Sequence, residues 1–156
     1  MVIEELYGTW HLLSIYSENE EGKRDYHFGE DAIGRLTYLP DGYMSAIIMQ
    51  LNRPRFSGAE IDAGSPAEIR KAFEGFEAYG GRYTVDLDAG TVTHHVDIAR
   101  SPSWENTDQL RYFSLMDGIL KISTPPMNFG GDIWKVHVRW EKRSSVVHPT
   151  DNNSLQ

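Results

Sequence analysis

Three side chains in this sequence have the chemistry to move a proton or hold an anion: His94, Tyr83 and Arg111. A histidine titrates near neutrality and suits general acid–base transfer, and a neighbouring tyrosine can pass the proton on. An arginine fork can clamp a carboxylate or an enolate oxygen. Each also has a plainer reading. His94 could bond Tyr83 or a nearby carbonyl and fix strand register, while Arg111 could pair with an acid at a rim or stack on a tryptophan. The doublet His94-His95 does not suggest metal, because neighbouring strand residues point to opposite faces and one ion cannot easily take both. The other histidines, 11, 27, 137 and 148, make no ligand spacing, so no metal is expected. A Gly-rich phosphate loop, Gly-x-Ser-x-Gly, His-Glu-x-x-His, a dinucleotide fingerprint and EF-hand spacing are all absent. With no cysteine, thiolate sites are excluded as well. No cofactor is expected.

These residues must be positioned by strands. Residues 8–17, 33–40, 43–51, 81–88, 91–98, 108–116, 119–124 and 132–142 read as short strand-like runs separated by turn chemistry. Asp41-Gly42 and Asp117-Gly118 each predict a two-residue hairpin turn with positive φ at both positions. The acidic stretch 18–31 reads as an exposed loop. Ser65-Pro66-Ala67-Glu68 combines an N-cap, a first-turn proline and a capping-box glutamate. Ile69, Ala72, Phe73 and Phe76 follow at helical spacing, and Gly80-Gly81 supplies a stop, so a helix over 66–78 is expected with its aromatic stripe on something apolar. Pro125-Pro126 ends the penultimate strand. The tail from about 144 is polar and aperiodic and is expected to be disordered. The fold class is therefore all-β: an eight-stranded antiparallel up-and-down barrel, with one helix inserted between strands 3 and 4 and a single domain over 1–143. Eight strands enclose room for side chains or one small ligand.

Strand parity sorts the lumen from the outside. Trp134, Val136, Val138 and Trp140 should point inward, as should Val92, His94, Val96 and Ile98, with His95 in solvent. Tyr83, Val85 and Leu87 form a third inward set. Parity leaves Arg111, Phe113 and Leu115 against Leu110, Tyr112 and Ser114 open; if Phe113 is core, Arg111 enters the lumen. It also leaves both faces of 43–51 open, Met49 on one and Met44, Ala46 and Ile48 on the other. The expected ligand-binding set is Arg111, His94, Tyr83, Phe113, Trp134, Val136, Met49 and Tyr38, with His94 and Tyr83 catalytic only if the protein is an enzyme. Arg53, Arg55 and Phe56 read as a solvated loop, Trp104 as a cap or rim residue, and Trp10 as the barrel floor.

Gly8-Thr9-Trp10 matches the Gly-x-Trp start of lipocalins, in which an arginine of the last strand packs over the tryptophan; Arg139 or Arg143 would do so here. The run from Gly34 to Ala46 resembles the bacterial and fungal lipocalin-like domain family. So do Arg53-Pro54-Arg55-Phe56, Tyr79-Gly80-Gly81-Arg82-Tyr83, His94-His95-Val96, Asp108-Gln109-Leu110-Arg111-Tyr112-Phe113 and Trp140-Glu141-Lys142. The resemblance spans about residues 6 to 143 and implies a calycin-type barrel, but it transfers no catalytic residue. The helix sits between the third and fourth strands rather than after the eighth, unlike secreted lipocalins.

Charge bounds the partners. Fifteen Lys+Arg against 23 Asp+Glu leave a net charge of −8, which repels phosphate backbones, so no nucleic acid is expected. The start has no basic n-region or long apolar run and nothing approaches a membrane span, so a cytoplasmic protein is expected. Three functions fit. The first is binding of a small, mainly apolar or aromatic molecule whose anionic or carbonyl oxygen meets Arg111, His94 and Tyr83. The second is a cofactor-independent cyclase, isomerase or hydratase using the same lumen with His94 as acid–base. The third is a structural module with a filled barrel.

Overall fold

The computed structural model describes residues 1–143; the tail expected to be disordered, 144–156, lies outside the described residues. Ten strands follow in order: β1 Gly8–Asn19, β2 Arg24–Asp25, β3 Ile33–Tyr38, β4 Tyr43–Met49, β5 Phe76–Asp86, β6 Thr91–Ala99, β7 Thr107–Met116, β8 Ile119–Ser123, β9 Met127–Phe129 and β10 Asp132–Lys142. Helix α1, Pro66–Glu74, lies between β4 and β5. The eight long strands pair in the sequence β1-β3-β4-β5-β6-β7-β8-β10, and β10 returns to β1, closing an antiparallel barrel. The short β2 and β9 extend β1 and β10 at one end. Neither was expected from the sequence, since two or three residues carry no readable alternation.

The two hairpin turns differ. Asp117 and Gly118 both have positive φ, 52° and 75°, as the two-residue turn requires. At Asp41-Gly42 only Gly42 is left-handed, φ 87°, and its N–H donates to the Leu39 carbonyl at 3.1 Å. That is a three-residue loop over Pro40–Gly42, because Pro40 holds φ negative and starts the turn one residue early.

The N-terminus of α1 is as expected: the Ser65 hydroxyl accepts from the Glu68 N–H and the Glu68 carboxylate accepts from the Ser65 N–H at 2.7 Å. The C-terminus is not. The helix ends at Glu74 with Gly75 as its cap, and Phe76 already belongs to β5. Gly80-Gly81 lies inside that strand instead of stopping the helix. No residue of α1 is buried, so the expected apolar seat is absent, and Phe73 packs on the Arg100 guanidinium 4.0 Å away. The last carbonyls of α1 need partners. Arg53 donates to Ala72, Arg100 to Phe73, and the His27 ring bonds Glu74, so three groups from elsewhere anchor the helix end.

A bulge lies between β5 and β6: Gly81 faces Val96 but Gly80 faces Ile98, leaving Asp97 as the extra residue. One extra residue inverts parity beyond it. Val92, His94 and Val96 are buried as expected, whereas Ile98 is 74% exposed. Leu87, expected inward, lies past the end of β5 and is exposed. On β4, Met44, Ala46 and Ile48 form the inner face, and Met49 lies outside it. At the closed end Trp10 is buried, and its Nε1–H donates to the Leu6 carbonyl at 2.8 Å. The cation over its ring is Lys142, with Nζ 4.8 Å from the centroid, rather than Arg139 or Arg143. Lys142 also donates to the Glu5 carbonyl, while Arg143 pairs with Glu141.

Gly81 is where the bulge is most sensitive, because an added β-carbon would collide with the His95 carbonyl oxygen. Gly81→Ala is expected to destabilise the barrel by about 3 kcal/mol or more, whereas Gly22→Ala, which has open space but a left-handed φ, should lose only about 1 kcal/mol. Urea unfolding of both variants measures the difference.

Candidate functional site

The lumen holds a cavity of about 470 Å³ whose wall is mostly apolar. Ile15, Leu36, Ala46, Ile48, Ile122 and Val138 supply much of that wall, each from the inward parity of its strand. Of the expected ligand set, Arg111, His94 and Val136 line the cavity. Tyr38, Tyr83 and Phe113 are buried in the core without reaching its wall. Trp134 is not on the wall: it sits at the β9 edge of β10, opposite Met127. Met49 is also off the wall, and its sulfur accepts from Arg53.

His94 is 1% exposed and lies between two tyrosines. Its Nε2 is 2.7 Å from the Tyr38 hydroxyl and its Nδ1 is 3.3 Å from the Tyr79 hydroxyl. The expected Tyr83 contact is absent, because the Tyr83 hydroxyl donates to the Leu39 carbonyl at 2.8 Å. Burial pushes Tyr83 up to about 12, and it packs on Tyr38 at the closed end with ring centroids 4.8 Å apart.

These contacts decide the direction of the hydrogen bonds. Tyr38 is wholly buried and has no acceptor but His94 Nε2 among the described residues. If Nε2 carried the proton, the Tyr38 O–H would be orphaned at a cost of about 1–3 kcal/mol. Tyr38 therefore donates to Nε2. A neutral imidazole then carries its proton on Nδ1, which donates to the Tyr79 oxygen. Burial pushes Tyr79 up and the Arg111 charge opposes it, both side chains lying against Trp104 on the cavity wall. With its oxygen accepting from Nδ1, the Tyr79 hydroxyl keeps its own proton to donate, and its side chain lines the lumen.

The imidazole stays neutral. Burial first, and then the charge of Arg111, push its pKa down to about 3.

Arg111 enters the lumen from β7, as the inward choice of Phe113 requires. It is 8% exposed, and its Nη1 donates to the Leu110 carbonyl at 2.8 Å. No carboxylate lies within 4.0 Å of it among the described residues. Its guanidinium carbon stands 5.7 Å from the Trp104 ring, and Trp104 is in turn 5.2 Å from Tyr79. Trp104, on a 3₁₀ turn at Pro102–Trp104, is thus a wall residue. The second lumen arginine differs. Arg100 meets Glu77 at 3.0 Å near the open end, where burial raises the Glu77 carboxyl against the pull of Arg100.

The sequence reading missed Tyr79, Glu77 and Arg100. Tyr79 shares parity with Tyr83 but falls between the helix expected over 66–78 and its expected Gly80-Gly81 stop, so alternation does not reveal it. The outward histidine, His95, bonds Asp108 at 2.7 Å and Thr84 at 2.9 Å.

Residues 7–143 match the lipocalin-like domain family, and the chain belongs to it. It is similar to the 4'-hydroxy-3'-methoxypropiophenone carrier protein ppsC of Aspergillus oryzae, with 32% identity over 106 residues, 64% of this chain and 96% of that relative. Among the described residues no helix is long and apolar enough to cross a membrane.

The neutral, buried His94 links stability to acid. An unfolded chain takes up the imidazole proton near its ordinary value of 6.5, while the folded one resists until about 3. Between those limits the unfolded state binds more protons, so stability is full above 6.5 and falls as pH drops, by at most about 1.4 kcal/mol per pH unit from this group. Urea titrations between pH 7 and 4 should show this slope in the parent and a shallower one in His94→Gln.

Proposed function

We propose that the protein binds and carries a small, mainly aromatic molecule in the barrel lumen, with Arg111 meeting an anionic or carbonyl oxygen of that ligand. The observation carrying this reading is the Arg111 guanidinium, buried in an apolar cavity with no carboxylate beside it among the described residues. A charge so placed is costly unless something neutralises it or accepts its hydrogen bonds. A cavity of about 470 Å³ is the size that takes a small organic ligand, and it argues against a filled barrel. Trp104 and Tyr79 offer aromatic faces beside the guanidinium. The relative named as the carrier of a hydroxylated aryl ketone supports the same ligand class, since such a molecule is a flat ring with a carbonyl at one end and a phenol at the other.

The enzymatic alternative gains less support. A histidine held near pKa 3 is a poor general acid at neutral pH, and both its nitrogens are already engaged by tyrosines.

Quenching of tryptophan fluorescence by 4'-hydroxy-3'-methoxypropiophenone tests the reading. The parent should bind saturably, and Arg111→Met should weaken binding at least about tenfold, the size of a lost charge-assisted hydrogen bond. The same substitution removes an unneutralised buried charge, so Arg111→Met should unfold at equal or higher urea concentration than the parent. Unchanged affinity in Arg111→Met would refute the assignment of Arg111.

A further inference from the structure

The chain of hydrogen bonds around His94 carries more than a binding site, because it sets which protonation state of a ligand the lumen accepts. Tyr38 donates to His94 Nε2, Nδ1–H donates to Tyr79, and the Tyr79 O–H is left facing the cavity beside the Arg111 guanidinium. The two groups presented together are therefore both donors. A ligand hydroxyl placed against them must turn its own proton away from both, whereas an oxyanion accepts from both and balances the guanidinium charge.

Resting on the carrier reading above, we infer that this end of the lumen binds a phenolic or enolic ligand as its oxyanion, with Tyr79 as the specificity-determining donor and Arg111 as the counter-charge. Binding of the neutral phenol then breaks its O–H bond: the electron pair stays on the ligand oxygen and the proton leaves to the buffer. One negative charge beside one guanidinium leaves the lumen neutral at that point, which the empty arrangement does not.

The other groups facing this end do not reverse the argument. Glu77 of β5 is taken up by Arg100 at the end of β6. Asp25 of β2 is exposed at the open end, and the His27 ring is held by the Glu74 carbonyl. The inner faces of β3, β4, β8 and β10 contribute mainly apolar wall. Side-chain acceptors that could compete are the Gln109 amide oxygen on β7, whose amide nitrogen is committed to the Thr107 hydroxyl at 2.9 Å, and the hydroxyls of Tyr16, Ser17, Ser123 and Thr124 elsewhere on the wall. A phenol bound in its neutral form would have to turn its proton to one of these, and of them only Gln109 shares β7 with Arg111.

The test uses the full-length chain and two probes, 4'-hydroxy-3'-methoxypropiophenone and its 4'-O-methyl ether, which cannot ionise. Between the bound and free pKa values of the phenol, calorimetry in buffers of different ionisation enthalpy should show at least about half a proton released per phenol bound, rising toward one as the shift grows, and none for the ether. Absorbance titration of the bound phenol should place its pKa at least ~1 unit below the free value, which corresponds to ~10-fold preference for the anion. The ether should bind at least ~10-fold more weakly than the phenol. Tyr79→Phe should move the bound pKa back toward the free value, and Gln109→Leu should leave it unchanged. Nitrogen-15 NMR of the ligand-free protein reads the relay directly and should find the His94 proton on Nδ1. A proton on Nε2, or equal binding of phenol and ether with no proton release, would overturn the oxyanion inference and leave the carrier reading standing. Failure of both probes to bind would overturn both.

Discussion

The pairing of β1 with β10, from Trp10 opposite Lys142 to Asn19 opposite Trp134, turns an open sheet into a ring. Inner side chains then have no bulk water to face, only one another and whatever the lumen contains. Every other property of the site follows from that enclosure. Aliphatic residues inside a ring are an ordinary consequence of alternation, but a guanidinium inside it is not. Arg111 is carried inward by the parity of β7, on the same face as Phe113, and cannot leave without turning that strand over.

Polar groups divide along the barrel axis. At the closed end Trp10, Tyr38 and Tyr83 bury their rings and hand their polar atoms to carbonyls or to His94. At the open end Arg100 and His27 satisfy the last carbonyls of α1, so the helix is held to the rim by hydrogen bonds rather than by a greasy face. Between these ends stands His94, hydrogen-bonded between two tyrosine hydroxyls and kept neutral by burial and by the arginine beyond. The imidazole works there as a fixed polar connector: its lone pair is consumed on the Tyr38 side and its proton is offered on the Tyr79 side. That polarity depends on Tyr38 having nowhere else to send its own proton.

Much of the architecture was legible because it is written in local patterns. Alternation along β10 and β6 placed Val136, Val138, Trp140 and His94 with the core, alternation along β7 tied Arg111 to Phe113 without choosing their side, and the Ser65-Pro66-x-Glu68 signature located the start of α1 to the residue. The hidden features needed contacts between distant segments. Phe76 keeps helical spacing with Ile69 and Phe73, yet it pairs with Met49 of β4, since a strand of the closed sheet gains a ladder that one more helical turn would not. Ile98 obeys the alternation of its neighbours and still points out, because Asp97 is squeezed from the ladder opposite Gly80 and Gly81. Lys142 rather than an arginine covers Trp10, a matter of which side chain the closing register delivers.

By itself the chain determined that it would be a barrel of antiparallel strands, that one capped helix would interrupt it, that His94 would face inside, and that Arg111 would share the side of Phe113; period-two alternation and turn chemistry are local, and they survive reading one residue at a time. Which tyrosine meets His94, which arginine keeps its charge unpaired, and where Met49 and Trp134 end up were decided only by the tertiary structure. Tyr38 and Tyr79 lie 56 and 15 residues from His94. Only the ring's registers bring them within hydrogen-bond distance, because strands far apart in the chain become neighbours when the sheet closes.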